Sequence, residues 1–255
     1  MSDKWRLLKL DVFDAYTNMA IDESIMRARK ESVVPNTLRL YRWKPSAVSI
    51  GYFQSMKLEV DLDAAKRLGI DVIRRITGGG AVYHDYNGEI TYSLIVPVGE
   101  ANIPIRVIDS YKKICNGLVL GLKKMGIQAE FKPINDIIVN GKKISGSAQT
   151  RKNNVILQHG TLLIDVDVDK MFTVLKVPNE KIRDKIISSV KERVTSIRHV
   201  TQKKYDFEYI AQKLVEGFSE ALDVDFEVGE LTEYEKSLIP TLRKRYMSEE
   251  WLFLR

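Results

Sequence analysis

The 255-residue chain is 44% hydrophobic, enough for one large core without covalent staples, since a chain of this size buries roughly 70–75% of its extended surface. Forty Lys and Arg against 34 Asp and Glu leave a net charge of +6, which suits an acidic partner or a phosphate-bearing ligand without demonstrating either. The single cysteine, Cys115, excludes a disulfide framework and any multi-cysteine metal site, and His84, His159 and His199 lie too far apart for short-spaced zinc pairs. No stretch approaches the ~20 apolar residues of a membrane span and no apolar signal segment opens the chain, so a cytoplasmic protein without membrane contacts is expected.

Taken in chain order, Asn18 to Lys30 reads as a helix with Asn18 as its cap and Ile21, Ile25 and Ala28 as its apolar stripe. Leu38–Tyr41 and Val48–Tyr52 read as strands around the Lys44-Pro45-Ser46 turn. A short helix over Asp63–Leu68 leads through Gly69 to a strand at Asp71–Arg75. Asn-Gly pairs between apolar runs favour type I′ hairpins, so Asn87-Gly88 is expected to join Ala81–His84 to Ile90–Ile95, and Asn140-Gly141 to join Ile137–Val139 to the Lys142 strand.

Between those turns, Tyr111, Ile114, Cys115, Leu118 and Leu122 mark a long amphipathic helix ended by Gly126, with Cys115 in its apolar stripe. Phe207 to Phe218 traces another helix behind Asp206, and Thr232 with Glu235 forms a capping box opening a last helix. After about Asp165 glycines thin out and charged helical segments form a flank on the same core. Hairpins mixed with long helices predict an α+β fold.

Three segments carry chemistry. Arg74-Arg75-Ile76-Thr77-Gly78-Gly79-Gly80 follows a strand directly; side-chain-free backbone lets amides approach an anion, and an arginine at the edge adds bidentate donors. A flexible turn with solvated arginines is the plainer reading of a bare glycine triplet. Asn135-Asp136 precedes Lys142-Lys143-Ile144-Ser145-Gly146-Ser147-Ala148, where strand alternation lets only one lysine face a pocket. Asn135 and Asp136 are equally suited to orienting that lysine, to ligating magnesium through oxygen, or to a turn beside Pro133. Gln158-His159-Gly160-Thr161 opens a further strand, in which a lone histidine suits a positional role. Walker, dinucleotide and nucleophile-elbow motifs are absent.

Together these segments resemble the lipoate–protein ligase A family, within the biotin/lipoate ligase and acyltransferase superfamily. Its Arg-Arg-x-x-Gly-Gly-Gly-Ala-Val-x-His-Asp signature stands intact from Arg74 to Asp85. Asn135-Asp136, Lys143–Ala148 and His159–Leu163 match its other motifs, and similarity reaches from Asn18–Glu23 and Gly51–Gln54 to Lys176-Val177-Pro178-Asn179-Glu180-Lys181 and Arg193-Val194. Membership implies one α+β catalytic domain over residues 1–255, with a mixed, mostly antiparallel central sheet and flanking helices, and a two-step reaction: ATP with Mg²⁺ activates lipoate as lipoyl-AMP, and a lysine of a lipoyl domain then takes the lipoyl group. The implied acceptors are the E2 subunits of 2-oxoacid dehydrogenases and the glycine cleavage H protein.

By that match Lys143 is the catalytic residue. Arg75, Gly80, Ala81, Val82, Tyr83, Asn135 and Asp136 are implied to hold the nucleotide, with Asp136 the candidate Mg²⁺ ligand. Gly78, Gly79, His84, Ala148 and His159 are implied to surround the acyl end. A one-residue register slip would substitute Lys142 for Lys143. The absence of a C-terminal accessory domain leads to the expectation of a separate small accessory protein, with Trp251 and Phe253 as a docking edge or as core.

The alternative within the superfamily is an octanoyl or lipoyl transferase acting on lipoyl domains without ATP. Its cysteine-dependent forms carry the cysteine shortly before the lysine strand, and none lies between Gly126 and Lys143. A nucleic-acid-binding role would need a basic face with interleaved aromatics, whereas the basic residues here mix with Asp184, Glu192 and Glu208.

Overall fold

The computed structural model describes residues 4–100, 102–177 and 179–255, so Pro178 of the Lys176–Lys181 segment lies outside the described residues. Strand β1 (Lys4–Phe13) runs into α1 (Ala15–Lys30), followed by β2 (Thr37–Trp43), β3 (Ala47–Ile50) and the short α2 (Met56–Glu59) and α3 (Leu62–Arg67). Next come β4 (Asp71–Arg74), β5 (Val82–His84), β6 (Glu89–Pro97) and the long α4 (Val107–Lys124). The antiparallel run β7 (Glu130–Lys132), β8 (Asp136–Val139), β9 (Lys142–Lys152) and β10 (Val155–Leu163) follows. The last third holds α5 (Val168–Met171), a 3-10 turn at Glu180–Ile182, α6 (Arg183–Arg193), α7 (Ile197–Thr201) and α8 (Phe207–Leu222). Strand β11 (Asp225–Val228), α9 (Glu233–Met247) and α10 (Glu249–Leu252) complete the chain.

The α+β expectation holds. Eight strands form one sheet in the order β11-β1-β2-β6-β10-β9-β8-β7, and β4-β3-β5 form a second, smaller one. Strand β1 lies parallel to both β2 and β11, and the remaining pairs of the large sheet are antiparallel. Alternation sorts the large sheet into two faces. Leu38, Leu40, Tyr92, Leu94, Ile156 and Leu162 pack under α4 and α8. Leu8, Ile95, Val155 and Leu157 face the other way and pack with Ile21, Ile25 and Met26 of α1. Farther along that second face, Tyr41, Trp43, Thr91, His159 and Thr161 confront Ser49 and Val82–His84 of the small sheet across a cavity.

Several local expectations hold. Asn140 and Gly141 both take positive φ, at 51° and 76°, between β8 and β9; Gly126 stops α4 at φ 78°; the Thr232–Glu235 capping box opens α9. Others need correction. Helix α1 begins at Ala15 under an Asp14 cap, while Asn18 is fully buried and its amide donates to the carbonyls of Phe13 and Arg42. Asn87-Gly88 closes no hairpin: β5 pairs with β3 in the small sheet and β6 with β2 and β10 in the large one. Gly88 is required by close approach, since a Cβ there would lie 2.3 Å from the Asp165 carbonyl oxygen. Trp251 donates to the Arg74 carbonyl and packs on Tyr246, whereas Phe253 stays partly exposed.

Helices α4 and α8 touch through glycines. A Cβ on Gly217 would lie 2.3 Å from both the Gly117 carbonyl oxygen and the Gly121 nitrogen, so the helices would have to separate. Gly217→Ala is therefore expected to lower urea stability by about 1–3 kcal/mol, the cost of overpacking. Gly69→Ala, which adds a Cβ in open space at φ 62°, carries only local strain, and equal losses in the two variants would contradict this packing.

Candidate active site

Strand β4 delivers two arginines to different tasks. Arg74 is fully buried and donates to the carbonyls of Tyr52, Gln54, Trp251 and Leu252, fastening the 51–54 turn and α10 to the sheet. Arg75, also buried, turns toward the glycine loop. Its Nε donates to Thr77 Oγ1 (3.1 Å), Nη1 to the Ser49 carbonyl and hydroxyl (both 3.0 Å), and Nη2 to the carbonyls of Gly78 (2.8 Å) and Gly80 (2.7 Å). All five N–H donors are thereby spent inside the protein. Burial lowers its pKa to about 10, which leaves it a cation at neutral pH.

That wrapping dictates where glycine is needed. Gly79 takes φ 95°, and a Cβ there would lie 2.9 Å from Arg75 Nη2. A Cβ on Gly51 would lie 2.0 Å from the Gly79 carbonyl oxygen. The loop is thus a fixed strap around a guanidinium.

Two histidines lie on either side of the strap. His84 on β5 bonds Ser49 Oγ through Nε2 (2.8 Å) and Glu89 Oε1 through Nδ1 (2.7 Å), and its ring stacks on Trp43 at 4.0 Å. His159 on β10 bonds Thr77 Oγ1 through Nε2 (2.7 Å) and Asp22 Oδ2 through Nδ1 (3.3 Å). Burial pushes the His159 pKa below the usual imidazole value despite the neighbouring Asp22. Burial would raise the Asp22 carboxyl, but hydrogen bonding from His159 and the Arg39 charge hold it below its ordinary value. Arg39 Nη1 reaches Asp22 Oδ1 at 2.8 Å, and Ser93 and Tyr41 donate to the same carboxylate.

Across the cavity stands Lys143. Opposite β8, Ile137 pairs with Ser145 and Ile138 with Lys143, so Ile144 is an extra residue in β9. This bulge re-aims the lysine along the face that carries Gly146 and Ala148. Lys143 Nζ pairs with Asp136 Oδ1 at 2.7 Å. Its chain lies over Gly146, where a Cβ would come within 2.7 Å of Nζ. Asn135 brackets Ser147, donating from Nδ2 to its carbonyl and accepting its N–H on the backbone oxygen. Lys142 lines an adjoining polar groove of about 680 Å³, with Val194 between groove and cavity.

The cavity measures about 290 Å³. It gathers Arg75, Gly79, Gly80, Ala81, Val82, Tyr83, His84, Asn135, Lys143, Ala148 and His159. Gly78 instead faces a separate depression beside Phe53 and Trp251, and Asp136 touches the cavity only through Lys143. Sequence reasoning missed Met19, Tyr41 and Trp43 from α1 and β2, and Val190 and Val194 from the α6 end. Trp43 offered a signal, as an aromatic on the alternation of β2; the α6 residues offered none. Cys115 lies behind Ser147, its Sγ 3.6 Å from Ser147 Oγ, and burial pushes its thiol up to about 11.

His159 and Asp22 together set an acid sensitivity. Below pH ~6.5 the unfolded imidazole binds a proton that the folded one resists, so stability falls with pH. Asp22, depressed in the fold, contributes stability above the ordinary carboxylate value that is lost as pH falls through its lower folded value. Urea midpoints measured from pH 7 to pH 5 should decline, with a shallower decline in His159→Gln; an identical slope would remove His159 as a source.

Curated relatives are octanoyltransferases LipM. That of Kyrpidia tusciae is 40% identical over 97% of both chains, that of Clostridioides difficile 35% over 98% of both, and that of Staphylococcus aureus 33% over 99% of both. Among solved structures, a bi-partite lipoate protein ligase from Thermoplasma acidophilum superposes with a TM-score of 0.87 at 34% identity, covering 100% of this chain and 98% of its own. A lipoate-protein ligase A bound with ATP reaches 0.84 at 31% identity over 98% of both chains.

The expectation of an ATP-dependent lipoate–protein ligase working through lipoyl-AMP with Mg²⁺ is corrected by the LipM relatives. A transferred acyl group arrives already bonded to a leaving group, so neither adenylation nor a metal-held triphosphate is required. Among the described residues no helix is long and apolar enough to cross a membrane. A family model, the lipoyl protein ligase A/B catalytic domain, matches residues 14–219, and the chain belongs to that family.

Proposed function

We propose that this chain is an acyltransferase that moves an octanoyl group from a carrier thioester to a lysine of a lipoyl domain, without ATP. The observation that carries the reading is the Lys143–Asp136 pair at the wall of a cavity near the lower end of the roughly 300–1,000 Å³ usual for small-molecule sites. The LipM names of relatives matched over nearly their whole length supply the acyl group.

The acyl chain lies between the two sheets, against Met19, Trp43 and the Gly79–Val82 strap, with its carbonyl at Lys143. The acceptor amine attacks that carbonyl, and a tetrahedral oxyanion forms. The Lys143 ammonium, steadied by Asp136, stabilises the negative charge as it develops, so its contribution is larger in the transition state than in the bound substrate. Collapse breaks the C–S bond; the proton lost by the amine balances the one gained by the departing thiolate. Asn135 lines the cavity together with Lys143, and His159 lines the opposite wall.

Transfer proceeds directly from donor to acceptor in this reading. Cys115 sits buried behind Ser147, outside the cavity lining, with its thiol pushed up to about 11, a poor thiolate. Acceptors are lipoyl domains of 2-oxoacid dehydrogenase E2 subunits or the glycine cleavage H protein, in the cytoplasm.

Mixing the chain with an octanoyl carrier thioester and an apo lipoyl domain in nucleotide-free buffer should add octanoyl to the lipoyl domain, as read by intact mass. Lys143→Ala should cost about 10²–10³-fold in rate, the loss seen when one oxyanion donor is removed. Gly146→Ala, which forces the lysine off Asp136, should cost at least about tenfold while leaving the melting profile intact. Cys115→Ser should keep its rate within about threefold, and an acyl group trapped on Cys115 would contradict direct transfer. Absence of any ATP-independent transfer would end the reading.

A further inference from the structure

Arg75 is a buried cation that no carboxylate touches among the described residues. Two carboxylates nevertheless answer it at a distance. One route runs from Arg75 Nε to Thr77 Oγ1 (3.1 Å), on to His159 Nε2 (2.7 Å), and from His159 Nδ1 to Asp22 Oδ2 (3.3 Å). The other runs from Arg75 Nη1 to Ser49 Oγ (3.0 Å), on to His84 Nε2 (2.8 Å), and from His84 Nδ1 to Glu89 Oε1 (2.7 Å). Each is arginine, hydroxyl, imidazole, carboxylate, and every member is buried.

Proton accounting orients both chains once each hydroxyl gives its proton to the imidazole. A guanidinium only donates, so each hydroxyl oxygen accepts from Arg75 and has its single proton left for the imidazole. Each Nε2 is then an acceptor, and each Nδ1 carries the hydrogen given to a carboxylate that only accepts. With each hydroxyl proton spent on Nε2, both rings take the Nδ1–H tautomer, the reverse of the form free imidazole prefers. Dipoles along each chain align, and aligned hydrogen bonds in a dry interior strengthen one another.

We propose that Asp22, Ser49, Thr77 and Glu89 are positioning residues, forming two hydroxyl–imidazole–carboxylate relays that hold Arg75 in place and through it the Gly78–Gly80 strap of the cavity. Among the described residues the hydrogen bonds of the two relays meet only at Arg75, whose three remaining donors bind the carbonyls of Ser49, Gly78 and Gly80. Asp22 is itself fixed by Arg39, Ser93 and Tyr41, and Glu89 Oε1 by Thr91, so the far ends are anchored in the large sheet. Asp22 lies 137 residues from His159, and Thr77 lies 82 residues from it. The consequence for acyl binding rests on the transferase reading; the relays themselves do not.

Long-range proton–nitrogen correlation spectra of the full chain at neutral pH report the tautomer directly. The chain has three histidines, with exposed His199 as the internal comparison. His84 and His159 should both appear as Nδ1–H, and an Nε2–H form at either would overturn the proposal. Thr77→Val keeps the shape and deletes one hydroxyl; amide exchange at Gly78–Gly80 should quicken about tenfold or more, as expected when two buried partners lose a hydrogen bond, and Thr77→Ser should restore it. Unchanged exchange in folded Thr77→Val would also overturn it, and if that variant does not fold, the tautomers of the natural chain decide. In octanoyl transfer, Thr77→Val should raise KM for the acyl donor about tenfold with little change in kcat. A chain without transferase activity but with both tautomers as stated would end the functional reading and leave the relays standing.

Discussion

A buried guanidinium that must spend all five donors on its own chain sets the shape of this site. Among the described residues Arg75 has no carboxylate beside it, and its solvation shell is built from two glycine carbonyls, one serine carbonyl and two hydroxyls. An isolated buried charge would be prohibitive without those bonds. Glycine at position 79 follows from that shell, because a side chain there would collide with Nη2. The loop that looks, in sequence, like an anion cradle is therefore already occupied by a cation from within. What it offers a ligand is a rigid wall and a fixed positive field.

The second constraint is the division of the large sheet into a packed face and a working face. Strict alternation puts Tyr92, Leu94 and Ile156 under α4 and α8 while Thr91, His159 and Thr161 look toward the small sheet. The cavity exists because the small sheet stands off from that face, with α1 filling one end and the α6 segment closing the other. Lys143 enters it through the bulge at Ile144, which breaks the strand alternation there.

Much of this was legible in the residues, and the failures are instructive. The Asn140-Gly141 turn, the α9 capping box and the buried place of Cys115 follow from local rules about φ, capping and helical period. Asn87-Gly88 misled because a turn dipeptide says nothing about whether its flanking strands share a sheet, and here each pairs elsewhere. The choice between Lys142 and Lys143 was not decidable by alternation, since a bulge resets it. Asp22 and Glu89 carry no local signal, as their roles arise from contacts between distant strands. Reaction type was the hardest to read: the ligase motifs are present, yet the fold is shared by ligases that use ATP and by relatives named as transferases.

The central claim is that an acyl group passes directly from thioester to lysine at Lys143 without nucleotide or covalent enzyme intermediate. The most direct test is a single turnover with octanoyl carrier labelled with carbon-13 at the carbonyl, enzyme in excess of donor and no ATP present, followed by carbon NMR. The account predicts that the carrier thioester signal is replaced by one amide signal on the lipoyl domain, with no second species. A transient enzyme-bound acyl signal, or conversion that begins only when ATP is added, would contradict it.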